Sequence, residues 1–246
     1  MLYVIIGCSL SINLNVPVIV INRPQDHTRR QFMEQQFNNS NFTNFTYVVH
    51  PPRLPFRTNY PISRNEIGCT RAHVSALISQ ARAASCFLIV EDDADLSLMW
   101  MWPLSLHEIC EKMTQHDPLW NTLQLYASGT RKPARGTLTV SKFKEGTWGT
   151  VAYLATPLTG KSLLHYTVNN TLLLKHNIRS KWGTADSVVY NYLNSHGYTL
   201  SPSYIYLNIN ANSIIHPSKT AKTVAIIHRI KQHAQTTMVQ PIQFIN

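Results

Sequence analysis

An α/β fold with a mostly parallel central sheet flanked by helices is what this sequence predicts, on three observations. Val18-Ile19-Val20-Ile21 and Cys86-Phe87-Leu88-Ile89-Val90 are short, wholly apolar runs, the pattern of strands buried on both faces. Apolar stripes at helical spacing alternate with them along the chain. The 246 residues, 44% hydrophobic and 14% charged, suffice for one core without staples and are too apolar for a disordered chain.

Taken in order, Met1 to Leu14 is apolar but lacks a basic leader and is shorter than the roughly 20 residues that span a bilayer, so it reads as a strand or a frayed terminus. Val18 to Ile21 is the first buried strand and Asn22-Arg23-Pro24 its exit loop. Thr28 to Phe37 carries Phe32, Met33 and Phe37 at helical spacing, and Phe45, Tyr47 and Val49 alternate as a second strand. A loop with Pro51, Pro52, Pro55 and Pro61 follows. From Arg71 onward Val74, Leu77, Ile78 and Ala81 predict a helix entered from Asn65-Glu66-Ile67-Gly68. Downstream, Leu123 and Leu125 mark a strand, Thr150 to Leu154 another, Thr156-Pro157 a helix start, and Ala185 to Leu193 a further helix with Asp186 on its first turn. One domain over 1–246 is expected, with a core of about 17–210 and a basic tail over 219–246, part of it helical between Thr220 and His233.

Cysteines 8, 69, 86 and 110 show no C-x-x-C spacing, so free thiols in a reducing, cytoplasmic setting are expected. Three acceptor triplets beginning at Asn38, Asn41 and Asn44 would matter only in a secreted chain. The net charge of +10 suits anionic partners such as nucleotide diphosphates. Nucleic acid has only that charge in its favour, because no aromatic-interleaved basic motif accompanies it, and it is not expected as a partner. A peripheral contact with an anionic membrane is an expectation that rests on Lys219 to Lys231.

The chemistry concentrates where the second buried run breaks off into Glu91-Asp92-Asp93-Ala94-Asp95, four acids in five positions at a strand's carboxyl end. In open α/β sheets that edge binds ligands. Carboxylates this close repel one another and call for a cation, and hard oxygen donors suit Mn²⁺ or Mg²⁺. Asp93 and Asp95 are the expected metal ligands, His216 a later one, and Asp93 and Asp186 the expected catalytic carboxylates, with Asp186 as base or as a group that orients the acceptor. Asn22, Arg29 and Arg30 suit a nucleotide; Glu66 and His73, with Glu91 and Asp92, would orient groups around it.

Asn65-Glu66-Ile67-Gly68-Cys69, then His73, then Phe87 to Ala94 together resemble glycosyltransferase family 25, which includes lipooligosaccharide and collagen galactosyltransferases. Val18 to Asn22, Arg29-Arg30, Gly146-Thr147-Trp148 and Ala185-Asp186 extend the resemblance over about residues 18 to 195. It implies a nucleotide-binding fold of the GT-A kind, a uridine diphosphate sugar donor, galactose or glucose favoured, a glycan, glycolipid or glycoprotein acceptor, and inversion at the anomeric carbon. Ala72 stands where the family has Ser, and Pro51-Pro52 where it has an Asp-Gly turn, which points to a different acceptor pocket. The competing expectation is a catalytically inactive homologue that only binds nucleotide sugar or carbohydrate.

Overall fold

The structure, a computed structural model, describes residues 16–39, 43–48, 63–97, 102, 104–127, 138–144, 147–165, 167–168, 171–172, 184–191, 196–208 and 242–245. The first fourteen residues, the proline-rich loop, His216 and the basic segment 219–241 lie outside them. The strands are β1 (Val18–Ile21), β2 (Phe45–Val48), β3 (Phe87–Glu91), β4 (Ala94–Asp95), β5 (Thr122–Gln124), β6 (Leu138–Lys142), β7 (Ala152–Ala155), β8 (Thr167–Val168), β9 (Thr171–Leu172), β10 (Gly197–Ser201), β11 (Tyr206–Leu207) and β12 (Ile242–Ile245). The helices are α1 (His27–Asn39), α2 (Arg64–Ser79), α3 (Leu106–His116) and α4 (Pro157–His165), with a π-helical turn at Ser187–Asn191.

Eight strands form one sheet in the order β12-β6-β10-β5-β7-β3-β1-β2. Four of its pairings are parallel. Three, at β3/β7, β5/β7 and β10/β6, are antiparallel. The sheet is therefore mixed but mostly parallel. Its last strand, β12, comes from the segment assigned by sequence to a tail; Ile242 to Ile245 pair in register with Leu138 to Ser141.

The period-two alternation of the buried strands divides the core. Val18, Val20, Leu88 and Val90 pack with Met33 and Phe37 of α1 and Leu106, Ile109 and Met113 of α3. Ile19, Phe87, Ile89 and Tyr153 pack on the other face with Val74 and Leu77 of α2, Leu163 of α4 and Val188 of the π-helical turn. Helices thus cover both faces, as a sheet apolar on both sides requires. The α2–α4 crossing depends on Gly160, where a Cβ would run into the Leu77 carbonyl oxygen and press on Ala81.

Two corrections follow. The helix expected from Arg71 begins at Arg64, two turns earlier, because Ser63 caps it: the Ser63 hydroxyl accepts from Glu66 N–H at 3.2 Å, and Ser63 N–H donates to Glu66 Oε2 at 2.7 Å. The expectation of free thiols fails at Cys86 and Cys110, which are bonded to each other with Cα atoms 6.5 Å apart. The pairing needs no C-x-x-C motif, because α3 brings Cys110 to the amino end of β3. Cys69 is a free thiol. Among the described residues no helix is long and apolar enough to cross a membrane.

Candidate functional site at the carboxyl end of β3

Strand β1 lies between β2 and β3, parallel to both, so β1 and β3 bring their carboxyl ends to the same edge of the sheet. Asn22 follows β1 there and the acidic run follows β3. A cleft of about 190 Å³ occupies this edge, lined by Glu66 and Cys69 from α2, Glu91 and Asp93 from the acidic run, Gly149 to Val151 from the approach to β7, Thr184 to Asp186, and Leu207.

The acidic run looks uniform in sequence, but each side chain has its own environment. Asp92 turns toward α1, accepting from Asn22 Nδ2 at 2.8 Å and from Arg29 Nη1 at 2.6 Å. Arg29 also reaches Asp93 Oδ2, at 3.5 Å. Glu91 turns toward α2: its Oε1 accepts from the Thr150 hydroxyl at 2.7 Å and lies 3.3 Å from His73 Nε2. Asp95 accepts from Ser97 N–H at 2.9 Å, closing its own turn, and does not line the cleft. The run is pinned from behind by Gln36, which donates to the Ala94 carbonyl at 2.9 Å and accepts from Leu96 N–H at 2.6 Å. The β4–β11 pairing and the bond from Asn208 N–H to the Asp93 carbonyl, 2.7 Å, hold its far side.

These environments pull the carboxyls apart electrostatically. Burial raises the Asp92 carboxyl despite the Arg29 charge and the Asn22 hydrogen bond. Burial works the same way on Glu91, but His73, the Thr150 hydroxyl and the Arg29 charge outweigh it and leave Glu91 below its usual range. Asp186 is raised by burial and by the Glu91 charge, against the Gly149 N–H that donates to its Oδ1 at 2.5 Å. The same field reaches Tyr126, whose phenol is pushed up to about 12 by burial and by the Asp93, Glu91 and Asp186 carboxylates.

Gly149 shapes this wall. Its φ of +131° suits glycine alone, and a Cβ would stand 2.6 Å from the Tyr126 ring. Its carbonyl accepts from Gln124 Nε2 at 3.0 Å and from the Tyr190 hydroxyl at 3.1 Å, while its N–H donates to Asp186.

Of the residues singled out from sequence, Glu66, Glu91, Asp93 and Asp186 line the cleft together. Asn22, Arg29 and Asp92 form the hydrogen-bonded group beside it, and His73 stands behind Glu91. Arg30 is engaged elsewhere, pairing with Glu34 at 3.0 Å and stacking 4.2 Å over the Tyr47 ring. His216 lies outside the described residues. Cys69, Thr150, Tyr153 and Gly149 belong to the site and were not singled out for it. Cys69 was legible: it precedes His73 by four residues, and a helix begun at the Ser63 cap puts both on one face. Compared with known proteins, the chain matches no family model and no curated sequence.

Proposed function

We propose that the chain is an inverting, metal-dependent glycosyltransferase of the family 25 type, moving a hexose from a uridine diphosphate sugar to a hydroxyl of a glycan, glycolipid or glycoprotein. The observation that carries this reading is the convergence of Glu91, Asp93 and Asp186 on one cleft at the carboxyl edge of β3 in a mostly parallel sheet. In a chain of net charge +10, four of the twelve carboxylates, Glu66, Glu91, Asp93 and Asp186, line that one cleft, beside Arg29 and Asn22.

The carboxylate of Asp93 offers oxygen donors that fit a hard divalent cation, Mn²⁺ or Mg²⁺. Such an ion supplies charge neutralisation for the departing diphosphate. Arg29, held between Asp92 and Asp93, keeps the acidic run in place and adds positive charge next to it. Asp186 is the base: the Gly149 N–H orients it, and burial makes its carboxylate more basic than usual. It takes the proton of the acceptor hydroxyl as that oxygen bonds to the anomeric carbon and the diphosphate leaves with the electron pair of the broken bond. The cleft is smaller than the roughly 300 Å³ at which ligand pockets usually start, so it suits the reacting part of the donor rather than all of it.

The cytoplasmic location expected from sequence leant on free thiols and is weakened by the Cys86–Cys110 bond, since disulfides persist mainly in oxidising compartments. Thiol counting on protein from its native source decides it.

The test is a thermal-stability screen of uridine diphosphate sugars with and without Mn²⁺. One donor should stabilise the chain only with metal, by about 2.7 kcal/mol at a hundredfold excess over Kd. Stabilisation without turnover toward any acceptor would favour an inactive homologue that binds nucleotide sugar, and no stabilisation by any donor would remove the glycosyltransferase reading and leave a carbohydrate-binding homologue in the lead.

A further inference from the structure

We propose that Cys69, His73 and Glu91 form a site for a borderline-soft divalent cation, Zn²⁺ by preference, in the wall of the cleft and apart from the oxygen donors of Asp93. The proposal does not rest on the glycosyltransferase reading, and its test needs no sugar donor.

Cys69 and His73 are one helical turn apart on α2, which faces their side chains the same way. Glu91, the last residue of β3, meets them from the sheet, and one donor atom from each of the three lies within 4.8 Å of the others. Cys69 is a half-buried free thiol at the cleft wall. The second, independent sign is His73. Its side chain is fully buried, its Nδ1 lies 3.0 Å from the Tyr153 hydroxyl, and its Nε2 faces Glu91 Oε1 at 3.3 Å, within ion-pair distance but without hydrogen-bond geometry. A buried imidazole nitrogen met only in this way is under-satisfied, and a cation shared with the carboxylate would relieve it.

The arrangement is that of a ligating histidine. In a metal-bound form, Nδ1–H would donate to the Tyr153 oxygen and leave the Nε2 lone pair for an ion beside Glu91; a hydrogen bond on the far nitrogen is the usual way a metal-binding imidazole is oriented. Glu91 has the matching support from the Thr150 hydroxyl on the same Oε1. The distances agree as well. Bonds of about 2.05 Å at the tetrahedral angle put nitrogen and oxygen ligands roughly 3.3 Å apart. The His73 Nε2 to Glu91 Oε1 separation is 3.3 Å. A sulfur ligand at about 2.3 Å stands roughly 3.6 Å from either, so with the donor atoms within 4.8 Å of one another the thiol has at most about 1.2 Å to close, within reach of a side-chain rotation. One sulfur, one nitrogen and one oxygen donor suit Zn²⁺ or Co²⁺ better than Mn²⁺ or Mg²⁺, which favour oxygen throughout. Three protein ligands leave the fourth position open to the cleft, where a water or a ligand oxygen binds.

The experiment is a Co²⁺ titration of the metal-free, full-length chain, repeated in Cys8→Ser, which removes the other thiol outside the Cys86–Cys110 bond. A near-ultraviolet thiolate-to-cobalt charge-transfer band should saturate at one Co²⁺ per chain in both proteins. Zn²⁺ should bleach it and excess Mg²⁺ should not. Cys69→Ser should lose the band, and Glu91→Gln should weaken Co²⁺ binding by about tenfold or more. In the unsubstituted chain, Zn²⁺ should slow alkylation of Cys69 at least about tenfold, a readout that depends on no variant's folding. No band in the folded chain, a band retained in Cys69→Ser, or an alkylation rate indifferent to Zn²⁺ would each overturn the site.

Discussion

The two ends of β3 are held in opposite ways. At its amino end, Cys86 is covalently tied to Cys110 of α3, and Leu88 N–H donates to the Pro17 carbonyl at 2.8 Å. At its carboxyl end, Glu91, Asp92 and Asp93 leave the sheet as charged groups held by side chains from α1, α2 and the loop before β7. Between the ends, Phe87 to Val90 are wholly buried. The strand is thus fixed covalently at one end and presents its charges at the other. Stability should be concentrated at one end and chemistry at the other.

The largest effect expected from this division is on activity. Asp93→Asn should lower glycosyl transfer by about 10³-fold, equivalent to ~4 kcal/mol of transition-state stabilisation, with the unfolding midpoint nearly unchanged. Transfer at the original rate would remove Asp93 from the catalytic centre, and a large drop in midpoint would mean that the carboxyl end carries the fold as well. The amino end should behave in the opposite sense. Cys86 and Cys110 are 24 residues apart. Closing a loop of that size stabilises by about 3 kcal/mol, so reduction should lower the unfolding free energy by that order in denaturant titrations. Metal-dependent donor binding at 25 °C should survive reduction, since the bond lies at the far end of the strand from the cleft.

How much of this could be read in the sequence differs between the two ends. The apolar run and its abrupt acidic stop were plain, because burial on both faces demands continuous apolar residues and no charge cluster can follow inside a core. The division of labour among the acids was not. It depends on which neighbours α1 and α2 bring, so that Asp92 meets Asn22 and Arg29 while Glu91 meets His73 and Thr150. The disulfide was hidden for the same reason: α3 was not anticipated, although Ser105 and Glu108 form the same S-x-x-E box that starts α2. Neither β6 nor β10 was legible, since Leu138–Lys142 and Gly197–Ser201 mix apolar with polar residues and their pairing is between distant parts of the chain.

A subtler consequence concerns pH at the carboxyl end. Burial and the Glu91 charge raise the folded-state Asp186 carboxyl above its unfolded value of about 3.9. A native state that holds the proton more tightly than the unfolded chain gains stability in acid, and loses it as pH rises through the folded value. Asp186→Asn keeps the acceptor for Gly149 N–H without the charge. It should therefore be more stable than the unsubstituted chain at neutral pH, with the two converging as pH falls toward about 4. Measured stabilities that diverge further in acid would mean that Asp186 is held charged, which also removes the reason for its being a strong base.

The smallest expected effect bears on whether the cleft's third wall is built as described. Gly68 sits inside α2, exposed, with nothing within 4 Å of where a Cβ would stand. In the middle of a helix, glycine costs roughly 0.5–1 kcal/mol relative to alanine, because the unfolded chain gives up more backbone freedom and no side chain compensates. Gly68→Ala should raise the unfolding free energy by about that amount. The sign depends on where α2 begins. A helix entered only after Gly68, as the apolar periodicity from Arg71 suggests, leaves Gly68 outside the helical backbone, and alanine there gains little or strains a turn. A helix begun at the Ser63 cap runs through Gly68 and gains the full increment. It also carries Glu66, Cys69 and His73 on one continuous face toward the cleft. A measured gain thus supports the register on which the Cys69–His73 pairing depends, and a loss would break that wall while leaving the β3 end of the cleft intact.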